Sequence, residues 1–196
     1  MTPTTGRILP GRSAGVHLSD DGRRQAETAA ERIAKLRTVT AIYASPLERA
    51  RETADPIGRA RGLRVRIDPE LIEVDVGDWT RKSIAPLRKR PEWDIVQRCP
   101  SAFRFPGGES LAEMQFRMTS AVARLVARHP ASTLVLVSHA DPIKSVVAHA
   151  LGVHLDLFQR IAIGTASITV IAYRRTGASV LTVNSVGGDL AGVGLG

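Results

Sequence analysis

Two rhythms of apolar residues run along the chain, one helical and one of short continuous apolar runs. From Ser19, SDDGRRQAETAAERIAKL places Ala26, Ala30, Ile33 and Leu36 near helical spacing behind a group of capping residues. VTAIYAS (39–45) is a short β-rich run that leads straight into SPLERARETADPIGRA. There Ser45 suits an N-cap and Pro46 the first helical position, and Glu48, three residues after the cap, completes a capping box. LRVRI (63–67) reads as a short strand. Residues 68–109 keep no steady period, and GDW, KRPEW, RCP and FPGGES predict a short helix among loops.

The second half is more regular. From Ser110 to Arg128, Leu111, Met114, Met118, Val122, Leu125 and Val126 fall on one side of an amphipathic helix. TLVLVS (133–138) fits a strand buried on both faces. DPIKSVVAHALG follows as a helix capped by Asp141, started by Pro142 and stopped by Gly152. SITVIAY and SVLTVNS form a strand pair joined by RRTGA, and GGDLAGVGLG is a Gly-rich, frayed tail. This order predicts a three-layer α/β/α fold with a mostly parallel central sheet. The organisation is a single domain over residues 1–186 and a tail over 187–196, without repeats or linkers.

Two strand-to-helix turns share one grammar. In AIYASPLERA the strand ends at Ser45 and Arg49 sits in the first helical turn; in LVLVSHADP, His139 lies between strand end and helix. Ligands of open α/β sheets bind at the carboxyl ends of the strands, where helix N-termini favour anions. An arginine fork suits phosphate oxygens, and histidine titrates near neutrality. Spacing alone also admits a structural His139 and an Arg49 that is ordinary helix-surface charge, as Arg51, Arg59 and Arg61 would be.

Composition narrows the classes. The chain has 196 residues, 43% hydrophobic and 23% charged, enough for one soluble domain. With 4% aromatic residues, its core is expected to rest on Leu, Val, Ile and Ala. Cys99 is the single cysteine, which excludes an internal disulfide and a cysteine-built zinc site. His149 and His154, five residues apart, point in different directions on a helix, so metal ligation with His139 is disfavoured. No metal or other cofactor is expected. No apolar stretch approaches the roughly 20 residues of a membrane span, and MTPTTGRILPGR has no signal-peptide core, so a cytoplasmic location is expected. The net charge of +8 comes from 23 Arg and 4 Lys spread along the chain without aromatic interleaving. A basic nucleic-acid-binding protein is therefore the disfavoured alternative.

The four quoted blocks resemble the histidine phosphatase superfamily, the phosphoglycerate-mutase-like proteins. GVHLSDDGRRQAE resembles its Leu-Thr-x-x-Gly-x-x-Gln-Ala helix start, and IYASPLERARETA its Ser-Pro-Leu-x-Arg-Ala-x-Gln-Thr-Ala signature. LIEVDVGDW resembles the Leu-x-Glu-x-x-x-Gly-x-Trp segment, and PGGES and VSHADPIK follow in order, so that the resemblance runs to about residue 172. It implies a phosphohistidine mechanism in which Arg49 and a cationic His139 hold the transferring group and Glu73 protonates the leaving oxygen, with Asp75 as fallback. The implied substrate is a phosphorylated small molecule, with Ala140 at the substrate-binding turn. Two positions depart from the pattern: Ala140 replaces the commoner glycine after the histidine, and Arg81 stands where a second glycine is usual. The short span from Glu73 to His139 favours a phosphatase over a glycolytic mutase.

The family's opening strand and Arg-His-Gly nucleophile have no counterpart. MTPTTGRILPGR resembles the phosphate loop that follows them, with Thr2 and Thr5 on phosphate-binding positions. None of His17, His129, His139, His149 and His154 follows an arginine and precedes a glycine. The sequence thus predicts a missing first central strand, unpaired neighbouring strands and marginal stability. Two explanations stand: a true start upstream, which restores a working enzyme, or a truncated phosphate-binding pseudo-enzyme.

Overall fold

The computed structural model describes residues 1–36, 38–190 and 193. Helix α1 (Asp20–Ala34) begins where expected, its first turn closed by Ser19, whose side chain accepts from the Gly22 N–H. Strand β1 (Val39–Ala44) leads to α2 (Glu48–Arg61) and β2 (Val65–Ile67). The aperiodic stretch holds three 3-10 turns and two short helices, α3 (Ile84–Leu87) and α4 (Pro91–Arg98). Helix α5 (Leu111–Arg128) opens on a complete capping box between Ser110 and Glu113. Strand β3 (Thr133–Val137), helix α6 (Ala140–Ala150) and the hairpin β4 (Ile168–Arg174) and β5 (Gly177–Ser185) complete the chain.

Three strands are parallel, in the order β2-β1-β3, with Ala44 level with both Ile67 and Val137. The antiparallel β4-β5 hairpin is a separate sheet. Both sheets nevertheless lie in one layer. Val135 and Val137 of β3 and Ile168 of β4 pack on the cluster of Ala30, Ile33, Ala54 and Ile57 from α1 and α2. Leu134 and Leu136 of β3 and Ile171 of β4 pack on Met118, Ala121, Val122, Leu125 and Val146 from α5 and α6 on the opposite face. The result is the expected three-layer α/β/α arrangement. β3 is packed on both faces, as its sequence suggests, but its residues stay half-buried because one of its edges is unpaired. It pairs with β1 alone, and β4 with β5 alone, so two strand edges face into the shared layer without bonding to each other.

The aperiodic stretch has a core of its own, and that core is aromatic. Trp79 stacks on Trp93 at 6.1 Å and meets Phe105 edge-on at 5.4 Å; Phe103 and Phe105 meet edge-on at 5.0 Å. Phe158, Leu87 and Val96 join the same cluster. Few aromatics thus serve a large role, by concentrating where helical or strand periodicity is absent. After β5 the Gly-rich segment folds back: the buried Arg32 donates to the carbonyls of Ser185, Gly187 and Gly188, and Leu190 is buried against α1 and α2. No described helix is long and apolar enough to cross a membrane.

Candidate active site

Strands β1 and β3 end level with each other, which sets their two following turns side by side. The Ser45 N–H donates to the Val137 carbonyl at 2.9 Å, and Ser45 Oγ shares a 2.7 Å hydrogen bond with His139 Nε2. Ser45 does not cap α2 as its sequence predicts. Leu47 is the N-cap, with no side-chain cap bond, and the Glu48 carboxylate accepts from the Gly15 N–H at 3.1 Å instead of closing a capping box. The fully buried Ser45 hydroxyl serves a histidine that would otherwise be orphaned, and an unpaired buried polar group costs more than a missing cap. Helix α6 likewise starts at Ala140, not Pro142, with His139 as its N-cap; Asp141 lies in the first turn and accepts from Lys144 Nζ at 3.1 Å. Neither helix start is closed by a side chain, so both leave backbone N–H groups for an anion.

Arg49 is buried, donates one bond to the Gly11 carbonyl at 2.8 Å, and keeps its Nη1 buried without a partner. Glu73 enters from the loop after β2. Its Oε2 lies 4.0 Å from His139 Nδ1, and its Oε1 accepts from the Val74 N–H at 3.0 Å. Burial, and then the nearby Asp141 carboxylate, push the Glu73 carboxyl up to about 7, against the opposing pull of the Val74 N–H, Arg49 and Lys144. Burial, followed by the positive field of Arg49, Arg117 and Arg12, holds His139 well below the usual imidazole range. The cationic His139 implied by the family resemblance is thus disfavoured in the free protein. Burial also lowers Arg49, opposed by Glu73 and Glu48, and it remains a cation at neutral pH.

The remaining sequence candidates divide. Ala140 is helical and exposed, so α6 needs no glycine there. Arg81 has φ +62, the left-handed conformation that favours glycine, which explains the usual residue at this position. Its side chain donates to Ser13 Oγ and the Ala14 carbonyl, both at 3.2 Å, and ties the first loop down. Thr2 and Thr5 do not contact Arg49, Glu73 or His139: the Thr2 N–H donates to Thr5 Oγ1 at 2.9 Å, and their hydroxyls lie 3.1 Å apart in a closed turn. Asp75 accepts from the Gly77 N–H at 3.0 Å and faces Arg12 at 3.6 Å, away from the fallback role. Sequence reasoning missed Ser45 as the partner of His139, and Arg12, whose Nε donates to the Glu73 carbonyl at 2.8 Å. For Ser45 a signal existed in its place at the end of β1, but the capping pattern gave it a different role.

Residues 3–186 match the family model for the histidine phosphatase superfamily (branch 1). The chain belongs to this superfamily. Among curated relatives, bifunctional protein Rv2228c of Mycobacterium tuberculosis is 32% identical over 93% of this chain, which spans 49%, about half, of that protein's length. Phosphoserine phosphatase 1 of Hydrogenobacter thermophilus is 31% identical over 85% of this chain and 80% of its own. Among solved structures, the mycobacterial glucosyl-3-phosphoglycerate phosphatase Rv2419c in complex with VO3 superposes with a TM-score of 0.85 at 29% identity, covering 94% of this chain and 95% of its own. The four motif blocks quoted from the sequence all lie within the part matched to the histidine phosphatase superfamily.

Proposed function

We propose that this chain forms the phosphate-binding and proton-donating part of a phosphomonoester phosphatase that works through a phosphohistidine. The observation that carries the reading is the buried, unpartnered Nη1 of Arg49 in a cluster where His139 Nδ1 lies 4.0 Å from Glu73 Oε2. A buried cationic donor without a partner is costly unless an anion meets it, and phosphate oxygens match the guanidinium fork. The N-termini of α2 and α6 add backbone donors to the same anion.

In the proposed reaction a histidine ring nitrogen attacks phosphorus and the ester P–O bond breaks. Glu73 gives its proton to the departing oxygen, and Arg49 and His139 hold the equatorial oxygens. Glu73, now a carboxylate, takes a proton from water; the hydroxide attacks phosphorus, the P–N bond breaks, and inorganic phosphate leaves. None of the five histidines in this sequence stands in an Arg-His-Gly motif, so the attacking nitrogen is left to the family's Arg-His-Gly histidine. The second reading is a pseudo-enzyme that binds phosphate through the same residues without turnover.

Phosphate or vanadate binding followed by calorimetry tests the pocket. Arg49→Ala is expected to weaken it roughly 10- to 100-fold, the worth of a charge-assisted bidentate contact; unchanged affinity would refute the site. The chain extended by an apolar strand ending in Arg-His-Gly is expected to hydrolyse an aryl phosphate and to carry an acid-labile phosphoryl group. Binding without hydrolysis in that extended chain would decide for the pseudo-enzyme.

A further inference from the structure

Glu109, in the PGGES block, sits at the centre of a charge cluster beside the pocket that the proposed reaction does not use. Its Oε2 accepts from Arg12 Nη2 at 2.9 Å, from Arg117 Nη2 at 3.0 Å and from the Asp75 N–H at 3.3 Å. Its Oε1 accepts from Arg117 Nε at 2.9 Å. The Glu109 side chain is 12% exposed and that of Arg117 14%. Each arginine then grips the loop that carries Glu73: Arg12 donates to the Glu73 carbonyl at 2.8 Å, and Arg117 donates to the carbonyls of Ile72 at 3.1 Å and of Glu70. The Glu109 N–H itself donates to the Asp75 carbonyl at 2.9 Å. Residues 70 to 75 are thus held on both flanks of Glu73; both arginine clamps meet at one carboxylate, while Ser138 Oγ holds the Leu71 carbonyl separately at 2.7 Å.

We propose that Glu109 is a positioning residue for the proton donor: through Arg12 and Arg117 it fixes the 70–75 segment so that the Glu73 carboxyl stays inside the pocket against His139. The inference rests on the reading of Glu73 as proton donor. Glu109 also neutralises two guanidinium groups whose positive field already reaches His139. Around Glu73 stand Asp141, Lys144 and His139 from α6 and its cap, Arg49 from α2, Arg12 from the first loop, Arg117 from α5, and Asp75 from its own loop. Without Glu109 the loop loosens, water reaches Glu73, and Arg12 and Arg117 lose their counter-charge. Both changes favour the carboxylate, so the donor would lose its proton at lower pH.

The test is a carboxyl 13C NMR titration of the protein labelled at glutamate, with the Glu73 signal assigned by its loss in Glu73→Gln. Glu73 is expected to titrate near 7 in the unaltered chain and at least about one unit lower in Glu109→Gln. Arg12→Lys, which keeps the charge but loses the paired grip on Glu109 and the Glu73 carbonyl, leaves the Glu109–Arg117 pair intact and is the second variant should Glu109→Gln fail to fold; it is expected to lower the Glu73 titration in the same direction. Glu109→Asp, which keeps the charge, is expected to restore part of the shift. Folded variants in which Glu73 still titrates near 7 would overturn the positioning role, whatever their melting temperatures. A Glu73 that titrates in the ordinary carboxylate range in the unaltered chain, or phosphate binding indifferent to Arg49→Ala, would instead strike the proposed function.

Discussion

The two walls around Arg49, His139 and Glu73 are held in place by different means. One wall is the pair of turns after β1 and β3, where Ser45, Arg49 and His139 follow their strands within a few residues and neighbouring parallel strands bring the turns together. The other wall is the segment from Glu70 to Gly77, which has little regular structure and is held by residues far along the chain: Arg12, Glu109 and Arg117, and the backbone of Pro106 to Gly108. The first wall needs only strand pairing to form. The second needs three distant segments to arrive together, so it is the one whose geometry single substitutions disturb most.

The largest effect is expected where backbone meets backbone in the second wall. Gly77 has φ +48, and a Cβ there would lie 2.1 Å from the Pro106 carbonyl oxygen. Gly77→Ala is expected to cost roughly 4 kcal/mol from left-handed strain plus overpacking, read as a lower urea midpoint. A cost below about 1 kcal/mol would show that the two segments are not locked together.

Next comes Glu73, held by that wall. Its folded-state value of about 7 lies above the ordinary value of 4.5, so folding favours protonated Glu73. The stabilisation is present below the unfolded value and is lost as pH rises through the folded one, at a cost on the order of 3 kcal/mol above that window. Glu73→Gln is therefore expected to raise the melting temperature at about pH 8 and to give most of that gain back by about pH 5. An equal gain at both pH values would mean that Glu73 is not held as an acid.

In the first wall, Ser45→Ala removes the partner of His139 Nε2 and should cost roughly 1 to 2 kcal/mol in urea denaturation. A neutral outcome would make Ser45 a bystander of the strand end. The smallest effect belongs to Arg81. Arg81→Ala and Arg81→Gly lose the same bonds to Ser13 and Ala14, but only glycine relieves the positive φ. Arg81→Gly is expected to be more stable than Arg81→Ala by roughly 1 kcal/mol; equal stabilities would indicate that the backbone relaxes at this position.

What could be read in advance followed the same division. Helices α1 and α5 and strands β1, β3, β4 and β5 were legible because amphipathic periodicity and caps are local. Arg49 and His139 were legible from the motifs that carry the family resemblance; their spacing after each strand alone left a structural role open. The boundaries at Ser45 and Asp141 were misread for one reason: a capping residue is chosen by its best available partner, and Ser45 found His139, a partner 94 residues away. The aromatic core around Trp79 was missed because the segments that build it have no period of their own.

By itself, then, the sequence determined the α/β layering and the superfamily and singled out Arg49, Glu73 and His139, since these depend on side-chain period and on short motifs. Only the tertiary structure decided which atoms meet. It gave Ser45 to His139 and left Arg49 Nη1 without a partner. It also buried Glu73 until it holds a proton near neutrality, and set Glu109 between two arginines. Those outcomes depend on burial and on contacts between residues far apart along the chain, and no local pattern encodes them.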